Sequence, residues 1–276
     1  MGYLTIAEAI FLSLHAAVVI PIVILSAGIM KKGKNGMFPA FYTFAMISML
    51  LSDLYCLIFC ILRPEERMPF AVDEIAECAM LLLLSAGIEA LSGKRKKWMP
   101  GAFLFTILYM SATVALWIAW SGEWVQDIMF GIPYVYLAYL LVRGWEYVRA
   151  WDTDVEKILS MVTSAVILLM QAAMLKVGEG MAWDVLNEGS YAIMYAFTAW
   201  LFWKSYRSLR DKSYGERTLY LALTLFLWSI LLTYMSDEFY YEISLALNTL
   251  SIPIVWIAVK RLRGEEEGVA EGMENQ

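Results

Sequence analysis

The sequence predicts an all-α, polytopic integral membrane helical bundle with nine transmembrane helices, N-terminus outside and C-terminus inside. Three observations carry that expectation. Hydrophobic residues make up 61% of the 276 positions and charged ones 17%, where a soluble domain holds roughly 45–50% and about 25%. Several apolar runs reach the ~20 residues needed to cross ~30 Å of hydrocarbon. Of the 21 Lys and Arg, 18 fall in five clusters: Lys31, Lys32 and Lys34; Lys94 to Lys97; Arg143, Arg149 and Lys157; Lys204 to Arg217; Lys260 to Arg263. Between successive clusters there is room for two apolar stretches joined by a short acid-rich connection, as the positive-inside rule requires.

The first span is about Leu4 to Met30. It follows no basic n-region and so does not read as a secretory signal peptide. Ile6 also stands where N-myristoylation needs Ser or Thr. The second span, Phe38 to Leu62, turns through RPEERMP into the third, Phe70 to Leu91. The fourth is Met99 to Trp120 and the fifth Trp124 to Leu141, shortened by Arg143. The sixth is Ile158 to Val177; the seventh, Val185 to Trp203, opens on polar Asn187, Glu188 and Ser190. The eighth, Leu219 to Ser236, and the ninth, Tyr240 to Val259, return the chain to Lys260, Arg261 and Arg263. Removing the fifth or the seventh span alone would put basic clusters on both sides, so both are kept. Trp98, Trp145, Trp151 and Trp203 mark the inner interface and Trp120, Trp124 and Trp183 the outer.

Inner helix starts near 38, 99, 158 and 218 recur about every 60 residues. Two spans and their loops produce that period without internal duplication. The inner loops Arg143 to Lys157 and Lys204 to Arg217 read as helix extensions with pairs such as Glu146 with Arg149. The bundle occupies 1–263. The Gly- and Glu-rich 264–276 lacks apolar periodicity and reads as a disordered acidic cytoplasmic tail.

The net charge of −6 hides a basic inner face and an acidic outer one. No basic, aromatic-interleaved patch points to nucleic acid. No loop holds a soluble catalytic domain, and neither GxSxG nor HExxH occurs. GIMKKGKN approaches a phosphate-binding loop but ends in Asn35, where a magnesium-binding hydroxyl belongs. No cofactor is expected.

Ionisable groups inside a bilayer are expensive and mark function by default. Glu8 and Glu89 lie near enough to span ends to reach water, Glu89 beside Lys94 and Arg95. Asp53 and Glu77 sit roughly 10–14 Å below the outer surface on consecutive antiparallel helices, and His15 about 16 Å below its own outer end. Gln171 and Asn248 come out at comparable depth, where a hydrogen bond between helices is the plainer explanation. These five are the candidate ligand-binding residues. Glu65, Glu66, Asp73, Glu74, Glu123, Asp127, Asp184, Asp237 and Glu238 form an acidic vestibule above them, which would focus cations or amines. His15, the only His, argues against a metal centre. Cys56 and Cys60 lie one turn apart, and Cys78 is on the next helix; packing explains them as well as redox chemistry does.

The implied function is a ligand-binding carrier or sensor with an outward-facing acidic pocket, in the plasma (inner) membrane. Its partners are the lipid bilayer and a cation or amine ligand. Two alternatives are an intramembrane enzyme using the paired carboxylates on a lipid-like substrate, and a membrane subunit whose basic inner loops dock a cytoplasmic protein.

The topology has a direct test in a variant lacking native cysteines. New cysteines at Glu65, Trp124, Glu179 and Glu238 will react with an impermeant thiol reagent added to intact cells. Cysteines at Gly93 and Trp98 will be protected; labelling of both from outside would overturn the nine-span arrangement.

Overall fold

The computed structural model describes residues 6–32, 37–62, 72–92, 99–122, 124–178, 180–211, 215–236 and 238–274. All regular structure among them is helical: α1 (Ile6–Lys32), α2 (Met37–Leu62), α3 (Val72–Ser92), α4 (Pro100–Ser121), α5 (Trp124–Tyr147), α6 (Asp154–Met174), α7 (Met181–Arg210), α8 (Gly215–Tyr234) and α9 (Glu238–Glu274). Eight of these are long and apolar enough to cross a bilayer, so the chain is a multi-pass membrane protein in contact with lipid. The exception is α7. Its 30 residues carry Asp184, Glu188, Lys204, Arg207 and Arg210, and its apolar content is aromatic more than aliphatic.

Helix ends follow local chemistry. Pro100 takes the first position of α4, where its missing N–H costs nothing. Gly122 ends that helix with φ 75°, donating its N–H to Ile118, as the left-handed closing motif requires. Thr153 caps α6 by accepting from the Glu156 N–H at 3.1 Å. The connection over 143–157 is not one helix extension. α5 runs on to Tyr147, past Arg143, and Arg149 then turns the chain with φ 50°. Ala150 donates its N–H five residues back to the Trp145 carbonyl, closing the end of α5. Glu146 pairs with Lys157 across the turn, not with Arg149. The backbone stays helical to Glu274, where the sequence predicts an unstructured tail from 264.

α8 is the central column. Fifteen of its 20 residues are buried, so it is apolar on all sides, as a helix shielded from lipid by other helices should be. α5, α7 and α9 pack on it; α2 pairs with α3, α4 with α5 and α6 with α7, while α1 lies against α2 and α9. Tyr42, Met46, Leu84, Leu223, Phe226, Ile252 and Val255 meet where α2, α3, α8 and α9 converge, around an interstice with no room for a water molecule. α6 is the most peripheral span: Val155, Ile158, Leu159, Val162 and Leu169 are exposed and form its lipid face.

Two glycines permit close approach. A Cβ on Gly144 of α5 would lie 2.0 Å from the Tyr220 ring of α8, and one on Gly131 would lie 2.5 Å from Val114 of α4. Gly144→Ala is expected to destabilise the protein by about 1–3 kcal/mol, the usual cost of overpacking, read as a lower melting temperature in detergent. Gly28→Ala, with nothing within 4 Å of the new methyl, will melt like wild type.

Candidate functional site

Three polar side chains meet between α1, α2 and α9. His15 is buried, and its Nε2 lies 3.5 Å from Asp53 Oδ2. Its Nδ1 is 2.7 Å from the Thr249 hydroxyl, which also lies 2.7 Å from the Leu245 carbonyl one turn earlier in α9. Asp53 Oδ2 is buried and makes no hydrogen bond by geometry, so the contact with His15 is at ion-pair distance without a hydrogen bond's alignment. At 1.5 Å per residue, His15 is about 14 Å from the N-terminal end of α1, Asp53 about 14 Å from the C-terminal end of α2 and Thr249 about 17 Å from the N-terminal end of α9.

Glu77 lies close by on α3, within electrostatic reach of Asp53, but with partners of its own. The Tyr134 hydroxyl of α5 donates to Oε1 and the Tyr234 hydroxyl of α8 to Oε2. Trp117 of α4 completes the surroundings, its ring edge-on to Tyr134 at 5.6 Å and tilted to Tyr234 at 6.0 Å. Tyr134 is buried whereas Tyr234, the last residue of α8, is 49% exposed. Above it Gln126 donates to Glu74, and Ser121 donates to Asp127 at 2.6 Å.

The other expected residues lie elsewhere in the bundle. Gln171 of α6 donates to Ser190 of α7 at 3.2 Å, and Asn248 of α9 donates to Ser229 of α8 at 3.0 Å. Glu89, read from the sequence as reaching water, has its Oε1 bound by Arg143 of α5 at 3.1 Å; Lys94 and Arg95 lie outside the described residues. Cys78 is a free thiol. Glu65, Glu66, Glu123 and Asp237 of the expected vestibule lie outside the described residues, as do the side chains of Glu8, Cys60, Asp73 and Glu238. Among the described residues, no three His, Cys, Asp or Glu side chains gather as a metal site.

A fourth cluster escapes sequence reading altogether. Lys204 of α7, expected in a solvated inner cluster, is buried. Its Nζ donates to the Ala150 carbonyl at 2.8 Å and to Glu156 Oε1 at 2.7 Å, with Asp152 Oδ2 at 3.6 Å. The rings of Trp145 and Trp200 flank it at 5.5 and 5.4 Å. Arg217 of α8 holds Asp152 Oδ1 at 2.7 Å. One lysine thus fastens the α5–α6 connection to α7, and one arginine fastens it to α8. The available signal was Lys204 directly after an aromatic run, with two acids at 152 and 156.

The chain matches no protein-family model, no curated protein and no solved structure. The functional argument therefore stands on these side chains alone.

Lys204→Met should cost about 3 kcal/mol, the low end for breaking a buried ion pair, because Asp152 is 43% exposed and can rehydrate. Arg207→Met, which removes a pair whose members are both more than half exposed, should stay within about 0.5 kcal/mol in the same melting assay. Partial burial pushes the Asp152 carboxyl up, but Lys204, then Arg217 and Arg207, outweigh it and hold the group below its ordinary value. A carboxyl lowered on folding adds stability above its unfolded value of ~3.9 and loses it as pH falls through the lower folded one. The contribution is therefore complete at neutral pH and disappears only in acid.

Proposed function

We propose that the protein is a ligand-binding membrane module, a sensor more than a carrier, that recognises a cation or amine at its outer face. In this reading all nine helices cross the plasma (inner) membrane, α7 included, with the N-terminus outside and the C-terminus inside. The length of α7, about 45 Å at 1.5 Å per residue, and its place between α6 and α8 support its inclusion.

The observation that carries the proposal is Glu77. A carboxylate near the outer end of its helix is flanked by the rings of Trp117, Tyr134 and Tyr234 and held by two phenols. Aromatic faces and a carboxylate together suit an ammonium group or a weakly hydrated cation. Glu74, one turn earlier on α3, and Asp127 at the start of α5 add negative charge at the approach.

A cation that takes the carboxylate competes with the Tyr234 hydroxyl, and Tyr234 is the last residue of α8. Binding at the surface therefore acts directly on the central helix. A ligand shifts a conformational equilibrium only through such differential contacts. Carriers commonly place their sites at broken helices. Here α1, α5 and α9 run unbroken through Pro21, Pro133 and Pro253, which favours sensing.

The test is thermal unfolding in lipid nanodiscs with potassium or tetramethylammonium as probe. A probe at 100 times its Kd stabilises the folded state by about 2.7 kcal/mol. Wild type should gain that increment and Glu77→Gln should lose it, since the amide still accepts from a tyrosine but no longer attracts a cation. Equal stabilisation of the two proteins would overturn the reading.

A further inference from the structure

We infer that the C-terminal end of α7 binds the headgroup of an anionic phospholipid, with Arg207 and Arg210 taking the phosphate and Trp203 and Tyr206 lying along the start of its acyl chains. The four residues recur at i, i+3, i+4 and i+7, which places them on one face of the helix. All four are exposed, Trp203 by 51% and Tyr206 by 62%. Lys204, Ser205 and Ser208 on the opposite face are buried, so this face looks away from the bundle.

Its depth in the bilayer follows from α9. That helix supplies an apolar span ending at Arg263. Within its last turn Arg261 donates to the Ser208 and Leu209 carbonyls of α7 at 3.3 and 3.0 Å. Residues 207–210 therefore stand level with the end of a span, where hydrocarbon gives way to headgroups. Tyr195 of α7 meets Tyr240 of α9, and Leu209 meets Arg261, so the two helices run in the same direction. Trp203 then lies on the hydrocarbon side of that level and Arg210 on the polar side. Indole and phenol rings favour this zone, and a guanidinium binds phosphate through paired N–H donors.

The charge balance selects an anionic headgroup. The Trp203 ring supports the Arg207 guanidinium at 5.4 Å, and on α9 the Trp256 ring supports Lys260 at 5.5 Å near the same level. Asp211 is 3.3 Å from Arg207, but both are more than half exposed, and water largely cancels such a pair. The acids of the α5–α6 connection have partners of their own: Glu146 has Lys157, Asp152 has Arg217 and Glu156 has Lys204. A zwitterionic lipid would bring an ammonium toward these cations; an anionic one does not. A soluble anion could reach the arginines but makes no use of rings placed in hydrocarbon. From Trp203 back to Glu188 the exposed residues of α7 are Ala199, Ala196 and Ala192, so an acyl chain can lie close against the helix. This face adjoins the first residues of α8, whereas Glu77 meets the last, and the lipid contact is independent of the cation reading there.

The test uses nanodiscs of phosphatidylglycerol and phosphatidylcholine at equal mole fraction, with brominated acyl chains on one lipid or the other. Bromine quenches indole fluorescence on contact, and the Trp203 share is the difference between wild type and Trp203→Phe. Brominated phosphatidylglycerol should quench that share more strongly, by a preference of about fivefold for each arginine engaged. The same difference measured with Arg207→Gln and Arg210→Gln in place should be equal for the two lipids. Both arginines are exposed, so the fold is retained, and quenching by the neutral lipid in this variant verifies that Trp203 still faces the bilayer. Equal quenching by the two lipids in wild type would overturn the inference, and so would a preference that survives the loss of both arginines.

Discussion

The bundle depends on keeping one helix away from lipid. α8 has no polar face to turn outward and no stripe reserved for hydrocarbon. Its residues from Thr218 to Leu232 are, with the single exception of the partly buried Thr224, buried against other helices. A helix in that position supplies the apolar contact surface that α5, α7 and α9 share, so their spacing around it follows from its side chains. Tyr220 lies in the gap left by Gly144, Trp145 Nε1 donates to Thr224, and Trp228 Nε1 donates to Thr198. In a bilayer this steric fit does more than in water, because lipid tails are as apolar as leucine and association must come from packing and hydrogen bonds.

Polar groups obey the same economy. Thr43, Ser85, Thr106, Thr113 and Thr198 each return their hydroxyl proton to the carbonyl four residues earlier. They need no water and can face either apolar neighbours or one another. The polar groups that cannot satisfy themselves along their own helix, including His15, Asp53, Glu77 and Lys204, are the ones that join helices distant in sequence.

Much of this was legible in the sequence, and the reasons for the rest are physical. Seven helices announce themselves by apolar runs of spanning length. The fifth and the seventh read as weak, one because Arg143 shortens it and the other because it opens on Asn187, Glu188 and Ser190; α5 proves long and apolar enough to cross, and α7 does not reach that measure. The comparable depth of Asp53 and Glu77 along their helices follows from helix rise, and the adjacency of α2 and α3 follows from a short connection. Rotation about the helix axis does not follow from either. That is why the partners Thr249, Tyr134 and Tyr234, and Arg143 for Glu89, do not emerge from the sequence. Lys204 reads from the sequence as the start of a basic helix extension. Nothing in spacing alone reveals that a carbonyl at 150 will curl toward it through the left-handed turn at Arg149.

The order of the helices along the chain has a consequence for biosynthesis. α8 is the eighth helix to be made, and His15 finds Thr249 only after 234 further residues. Until then α2 can pair with α3, α4 with α5 and α6 with α7, but α5 and α7 lack the helix on which both pack. The carboxylates at 152 and 156 are in place before Lys204 and Arg217 arrive to neutralise them. The packing of α5, α7 and α9 on one helix is therefore completed only by the α8–α9 hairpin. A chain cut before residue 215 lacks that shared surface and leaves Asp152 without Arg217.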